Sequence, residues 1–163
     1  MRIETKNLQK QMAKTGVLSG KWHNQHNSEI DLCIEDDGYV SGTFTTKIEG
    51  KDRPEVFSLT GFASNDVLAF CVAFRKYGSV TSWTGQLASV SEGAANCTIQ
   101  ALWHMALDLG GRADVDLWRG TLSGFDVFKK GPSDEEPQIE DMLPPSHPWW
   151  REVSDVEEPE AFY

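Results

Sequence analysis

The chain has 163 residues, enough for one sizeable domain with appended segments, and carries a net charge of −10 from 25 acidic and 15 basic side chains. No apolar run approaches the roughly 18 residues of a membrane-spanning helix, and no basic patch of the kind that binds nucleic acid is present. The three cysteines, Cys33, Cys71 and Cys97, lack metal-site spacing, and their odd number favours free thiols over a disulfide framework. Membrane, nucleic-acid and metal-binding functions are therefore not expected.

Residues 1–15 are interpreted as an N-terminal extension of the folded domain. They carry four basic side chains and one acidic one, a net charge of +3. They contain no apolar core of the kind that a secretory signal needs. The protein is therefore expected to be either cytoplasmic or a product from which a leader has been removed.

Residues 16–130 consist of short segments of alternating polarity, with no helical period of useful length. In the second of these segments, for example, Ile30 and Leu32 share one face while Asp31 and Cys33 share the other. Turn-forming sequences such as Asp36-Asp37-Gly38 separate the segments. The predicted strands run over residues 18–25, 28–35, 39–48, 55–64, 67–76, 79–90, 95–106 and 116–130.

Eight short strands with tight connections predict an all-β domain over residues 16–130. An eight-stranded antiparallel up-and-down β-barrel is favoured, because closure of the sheet on itself leaves no exposed strand edge. A β-sandwich with a similar number of strands is the structural alternative.

Residues 131–163 differ in composition and are predicted to be an acidic, proline-rich C-terminal tail. They hold ten acidic side chains against Arg151 alone, a net charge of −9. Five prolines between residues 131 and 150 oppose both a strand ladder and a helix. The aromatic pair in Pro148-Trp149-Trp150 has two interpretations: it packs on the outer wall of the barrel, or it serves as a plug or docking peptide.

Residue parity places an unusual number of polar side chains inside the predicted barrel. Ser79, Thr81 and Trp83 share one face of the sixth strand, where a core would normally present aliphatic side chains. Burying an unpaired hydroxyl costs on the order of 1–3 kcal/mol. The predicted interior set comprises the polar residues Asn24, Ser28, Thr46, Ser79, Thr81 and Asp126 and the aromatic residues Phe44, Phe74, Trp83 and Trp103.

This lining suits a small ligand that has hydrogen-bonding groups at one end and an apolar body. The alternative is a set of core polar groups that satisfy one another. Six such groups are difficult to satisfy without a ligand or water, so the ligand interpretation is favoured for the set as a whole.

Five segments together resemble the avidin/streptavidin family, and the resemblance spans residues 16–130 in order. The segments are GKWHNQ at 20–25, GTFTT at 42–46, SVTSWTGQ at 79–86, Trp103, and WRGTLSGFDVF at 118–128. The resemblance implies an eight-stranded barrel that binds biotin non-covalently with high affinity and sequesters the vitamin. It also implies secretion, and no cofactor other than the ligand itself.

The resemblance assigns a role to every position of the interior set except Phe44. Asn24 and Ser28 would donate to the ureido oxygen of biotin, and Asp126 and Thr46 would accept from its two nitrogens. Thr81 would face the thioether sulfur, and Ser79 would meet the valeryl carboxylate. The remaining positions, Phe74, Trp83 and Trp103, would wall the rings and the tail.

Three positions depart from the pattern of the resembled family. Phe44 stands where a tyrosine usually donates to the ureido oxygen, Phe74 stands where a tryptophan commonly walls the valeryl chain, and His26 stands where an apolar residue is familiar. Loss of one donor to a polarised oxygen is worth roughly 1.5–3 kcal/mol. His26 is expected either to replace that donor or to be a satisfied histidine at the rim.

A homotetramer is expected because of Trp118. Its indole would be exposed on an isolated barrel, and the resemblance implies that it enters the neighbouring subunit's site. Outward-facing residues of the later strands, namely Leu102, His104, Ser123 and Phe125, are expected to supply further contacts.

Two other functions remain open at this stage. One is a carrier of another small amphiphile, in the manner of lipocalins, and the other is a barrel that binds proteins through its aromatic tail. An enzyme is not expected, because no nucleophile motif or metal-ligand spacing is present and the single interior carboxylate, Asp126, has no acidic partner.

Overall fold

The computed structural model describes residues 16–48, 50–89, 97–111 and 117–134. Eight antiparallel strands form a closed barrel in chain order, each paired with the next and the last with the first. The strands are β1 (Gly20–His23), β2 (Glu29–Ile34), β3 (Tyr39–Thr46), β4 (Glu55–Ser64), β5 (Val67–Phe74), β6 (Ser79–Ser89), β7 (Cys97–Leu107) and β8 (Thr121–Lys130). The predicted up-and-down barrel is therefore confirmed, and the sandwich alternative is wrong.

The structure corrects several of the predicted strand ends; β1 ends at His23 and β3 at Thr46, each two residues earlier than predicted. Residues 16–18 are helical, so the first strand begins two residues later than predicted. Arg75–Tyr77 forms a 3₁₀ turn that is closed by Gly78, whose positive φ of 59° favours glycine. Leu117–Gly120 is also a 3₁₀ turn, so β8 is shorter than the predicted segment 116–130.

The alternation of side chains along the strands builds the core. In β5, Phe70, Val72 and Phe74 point inward and are at most 7% exposed, while their neighbours face outward. Ile30 and Leu32 do the same in β2, as the sequence predicted. The buried apolar side chains thus line the barrel interior, and the polar set described below interrupts that lining.

The barrel closes through a short seam between β1 and β8. Only two residue pairs join these strands, Trp22 with Lys130 and His23 with Lys129, whereas eleven pairs join β6 and β7. The ammonium of Lys130 donates to the carbonyls of Val17 and Ser19 and lies 4.4 Å from the centroid of the Trp22 ring. These contacts attach the segment before β1 to the end of β8.

The chain leaves the barrel beside β1. Gly131 N–H donates to the carbonyl of Lys21 (2.7 Å), and Ser133 N–H donates to the carboxylate of Glu29 (2.7 Å). The N-terminal extension 1–15 and the remainder of the predicted tail, with its Trp149-Trp150 pair, lie outside the described residues. Within the described ranges, no helix is both long enough and apolar enough to cross a membrane.

Candidate functional site

The barrel interior contains all six polar side chains that residue parity placed there. Each of them is at most 4% exposed, which is unusual for polar groups inside an apolar core. They lie on β3, β6 and β8 and on the turn between β1 and β2: Asn24, Ser28, Thr46, Ser79, Thr81 and Asp126. The structure therefore brings together residues that are up to about a hundred positions apart in the chain.

The turn between β1 and β2 fixes the side chain of Asn24. Its Oδ1 atom accepts hydrogen bonds from the backbone N–H groups of His26 (3.0 Å) and Ser28 (2.9 Å). This arrangement directs the amide nitrogen away from the turn, and Asn24 also hydrogen-bonds to Asp126. Next to it, Ser28 Oγ and Thr46 Oγ1 are 2.8 Å apart and share a hydrogen bond that joins the turn before β2 to the end of β3.

Asp126 is the ionisable group of the site and is bonded from several sides. Its Oδ2 atom accepts from the Trp83 indole (2.7 Å), and its Oδ1 atom accepts from Gln25 Nε2 (3.2 Å) and lies 3.9 Å from His26 Nε2. Burial raises the pKa of Asp126 above its ordinary value, while the bond from Trp83 and the proximity of His26 oppose that rise. The carboxylate is thus an acceptor held in place within a largely apolar enclosure.

Two hydroxyls of β6 have no hydrogen-bond partner in the structure. Ser79 Oγ and Thr81 Oγ1 are fully enclosed, yet among the residues that the structure describes neither donates to nor accepts from another group. An unsatisfied buried hydroxyl destabilises a protein by about 1–3 kcal/mol. Because both lie on the same inward face as Trp83, they present two unused donor and acceptor groups to the interior.

Aromatic side chains form the wall beside these hydroxyls. Trp83 stacks on Phe70 with ring centroids 5.1 Å apart and planes at 12°, and it also contacts Phe44 at 5.1 Å. Phe44 meets Phe74 edge-on at 5.9 Å, and Phe74 in turn meets Phe57 at 4.6 Å. Phe44, Phe74 and Trp83 therefore occupy one continuous apolar surface, as the sequence predicted.

Trp103 completes this wall from β7. It lies directly opposite Trp83 in the β6–β7 register and is half-buried. Its indole covers Gly124 of β8: a Cβ atom at Gly124 would lie 2.6 Å from Trp103 Cε2. The lack of a side chain at Gly124 therefore leaves the space that the Trp103 indole occupies.

Sequence reasoning did not assign three residues that shape the site. Phe70 is the stacking partner of Trp83, Gln25 bonds to Asp126, and Gly124 accommodates Trp103. Phe70 faces inward with the alternation of β5, but no local signal in the sequence indicated its partner. Gln25 faces outward by parity, so its contact with an interior carboxylate could not be predicted from the strand pattern.

The position of Trp118 in the fold differs from the predicted one. It lies in the 3₁₀ turn Leu117–Gly120 rather than inside β8. Its expected entry into a neighbouring subunit's site stays a prediction. Across the described ranges, no group of three or more His, Cys, Asp or Glu side chains is arranged to hold a metal ion.

A closed eight-stranded barrel whose interior joins a polar cluster to an aromatic wall defines a class of small-molecule-binding barrels. The model of the Avidin family matches residues 12–131, and the chain belongs to this family. It is 25% identical to rhizavidin in a structure of the rhizavidin–biotin complex, with a TM-score of 0.55, 74% of this chain covered and 98% of that chain.

Two further structures share the fold at lower identity. Xenavidin is 24% identical, with a TM-score of 0.58 over 69% of this chain and 95% of its own. A biotin-binding protein from chicken is 22% identical, with a TM-score of 0.58 over 69% of this chain and 94% of its own.

Proposed function

We propose that the barrel binds biotin non-covalently with high affinity and sequesters it. The observation that carries this proposal is the pair of buried, unpartnered hydroxyls, Ser79 and Thr81, beside the aromatic wall of Trp83. Membership of the Avidin family and the likeness to a biotin-bound relative support the choice of ligand. The protein is thus proposed to be a binding protein and not an enzyme.

The bicyclic head of biotin is proposed to lie at the polar cluster. Its ureido oxygen would accept from Asn24 and Ser28, and its two ureido N–H groups would donate to Asp126 and Thr46. Asn24 supports this role because its Oδ1 atom is already engaged by the turn, and of its two amide N–H groups one bonds to Asp126 and the other is left as a donor to the interior. The Ser28–Thr46 hydrogen bond would orient Ser28 as a donor to the ureido oxygen and Thr46 as an acceptor from a ureido N–H.

The remainder of biotin is proposed to extend along β6. Thr81 would face the thioether sulfur and Ser79 would meet the valeryl carboxylate, so that both unsatisfied hydroxyls gain partners on binding. Phe44, Phe74 and Trp83 would enclose the apolar body, with Trp103 on the adjacent strand. Phe44 has no hydroxyl to offer the ureido oxygen, so Asn24 and Ser28 would be its donors from this set.

Biotin is expected to bind once per chain and to raise the melting temperature strongly. A ligand that binds only the folded state stabilises it by about 4 kcal/mol when its free concentration exceeds Kd a thousandfold. Titration calorimetry gives the stoichiometry, and thermal unfolding with and without biotin gives the shift. Desthiobiotin, which lacks the sulfur that faces Thr81, should stabilise less. An unchanged melting temperature at saturating biotin would reject the proposal.

Affinity for biotin is expected to fall as the pH falls. Burial raises the pKa of Asp126 in the free protein, whereas a ureido N–H donating to its carboxylate would lower that pKa in the complex. Binding therefore releases a proton between the two pKa values, and affinity increases with pH through this interval. Without ligand the sign is opposite: the free barrel loses stability as the pH rises from the unfolded-state pKa of Asp126 through its folded one.

Measurement of Kd from about pH 3 to pH 8 tests this expectation. The interval contains both the ordinary pKa of an aspartate and the raised pKa of a buried one. His26 is the other titratable group close to this carboxylate, so His26→Gln separates its contribution. The Asp126→Asn variant provides the matched control and should show a flat profile. A wild-type profile as flat as that of Asp126→Asn would contradict the proposed role of the carboxylate.

A homotetramer with pairwise shared sites is proposed as the assembly. Leu102 and Phe125 lie opposite each other on the outer face of β7 and β8 and are 62% and 66% exposed. His104 and Ser123 face outward beside them, as predicted. Two large apolar side chains in adjacent exposed positions are typical of an interface. Trp118, in the turn that precedes β8, is proposed to reach the neighbour's site.

Trp118→Lys is expected to speed biotin release and to weaken the assembly, because a charged side chain would replace an indole in the shared site. Light scattering with and without biotin gives the mass, and competition with unlabelled biotin gives the dissociation rate. Arg119→Lys, at the next and exposed position, is a matched control. A monomeric wild type, or an unaltered dissociation rate for Trp118→Lys, would count against shared sites.

A further inference from the structure

The seam between β1 and β8 contains an unusual hydrogen-bonding arrangement. The register that pairs His23 with Lys129 would, if continued by two residues, place Gln25 opposite Val127. The backbone does not continue it: the chain turns at residues 24–27, where Asn27 has a positive φ of 58° and donates to the carbonyl of Asn24. The backbone groups of β8 that face this gap therefore lose their expected strand partner.

The side-chain amide of Gln25 replaces the missing strand. Its Oε1 atom accepts from Val127 N–H (2.9 Å), and its Nε2 atom donates to the carbonyl of Phe125 (3.0 Å). These are the two backbone groups of β8 on either side of Asp126. One side-chain amide thus satisfies a donor and an acceptor that a peptide of β1 would otherwise satisfy.

The same amide reaches the interior carboxylate. Gln25 Nε2 lies 3.2 Å from Asp126 Oδ1 and 3.1 Å from His26 Nε2. An amide nitrogen has two N–H groups, so one donates to Phe125 and the other points to Asp126 and His26. Gln25 is exposed on the outer surface, yet it contacts the buried Asp126 through the gap in the seam.

We infer that Gln25 is a positioning residue for the ligand site. Its amide closes the seam and holds Asp126 Oδ1 beside it, while Trp83 holds Oδ2, so that the carboxylate is oriented before a ligand arrives. This inference rests on the proposed function for its consequence, the slow release of biotin, but the contact with Asp126 can be measured without any ligand.

The test compares Gln25→Leu and Gln25→Glu with Gln86→Leu, a matched control at an exposed position on the outer face of β6. The indole N–H resonance of Trp83, assigned with Trp83→Phe, reports the titration of Asp126 in the free protein because the two groups are bonded. Stopped-flow or competition measurements give the rate of biotin release. The melting temperature measures how much the contacts of Gln25 across the seam stabilise the barrel.

For Gln25→Leu we expect the midpoint of the Trp83 titration to move to higher pH, because the carboxylate loses a donor, and biotin release to become roughly tenfold faster. Gln25→Glu retains an acceptor for Val127 N–H but places a second carboxylate beside Asp126. It should therefore melt above Gln25→Leu and still show the raised midpoint. Gln86→Leu should leave the midpoint and the release rate at wild-type values.

The outcomes separate the two hypotheses. If both Gln25 variants lower the melting temperature but leave the Trp83 midpoint unchanged, the amide is only structural and the inference is wrong. If the midpoint moves as expected but the wild type does not bind biotin, the contact stands and the proposed function fails. If Gln25→Leu does not fold, Gln25→Glu still tests the contact with Asp126. The midpoint of its Trp83 titration must then lie at higher pH than that of the wild type.

Discussion

Replacement of Asp126 by alanine is expected to weaken biotin binding by about 3 kcal/mol or more, a hundredfold or greater increase in Kd. The variant removes the proposed acceptor of a ureido N–H. It also leaves the Trp83 indole, which now donates to Asp126 at 2.7 Å, without its partner in the site. Both losses occur at a position only 4% exposed, where water cannot easily compensate.

Titration calorimetry and the rate of biotin release measure this effect, and Asp126→Asn refines it. Asparagine retains an oxygen for the Trp83 indole but removes the charge and places an amide N–H group opposite the donor Gln25 Nε2, so this variant should also bind biotin more weakly than wild type. Asp31→Ala, a half-buried aspartate on the outer face of β2 that pairs with Lys21, is the control outside the site. Wild-type affinity in Asp126→Ala would show that the carboxylate does not contact the ligand.

Gly124→Val is expected to accelerate biotin release by about tenfold to a hundredfold, although glycine itself offers the ligand no side chain. A Cβ at this position would lie 2.6 Å from Cε2 and 3.0 Å from Nε1 of Trp103, so the indole must leave its place in the wall. Overpacking of this kind typically costs 1–3 kcal/mol, which corresponds to that range of rates.

A double-mutant cycle with Trp103→Phe distinguishes this explanation from general strain. The smaller ring of phenylalanine relieves the overlap, so Gly124→Val should have little further effect in the Trp103→Phe background. Gly16→Val is a matched control, because a Cβ there has no neighbour within 4 Å in the part of the chain that the structure describes. Additive effects of the two substitutions would mean that Gly124 does not act through Trp103.

Much of the interior could be predicted because it depends on a local rule. Side chains alternate along a strand, so Ser79, Thr81 and Trp83 had to share a face wherever β6 lay. Turn sequences such as Asp37-Gly38 marked the strand ends, and the sequence resemblance placed Asn24 and Asp126 at one site. Within those limits the sequence was sufficient to predict the closed barrel and its polar interior.

The tertiary structure alone decided how these groups are satisfied. Asp126 is bonded by Gln25 and Trp83, residues 101 and 43 positions away, and the register of a closed barrel sets which strands meet. The early end of β1, which leaves the seam to the Gln25 amide, follows from a turn whose partners lie in β8. The seating of Trp103 on Gly124 likewise depends on the packing of two strands. Local periodicity assigns a face to each residue. Contacts between distant strands depend on how the strands are aligned around the closed barrel, and no short segment of sequence specifies that alignment.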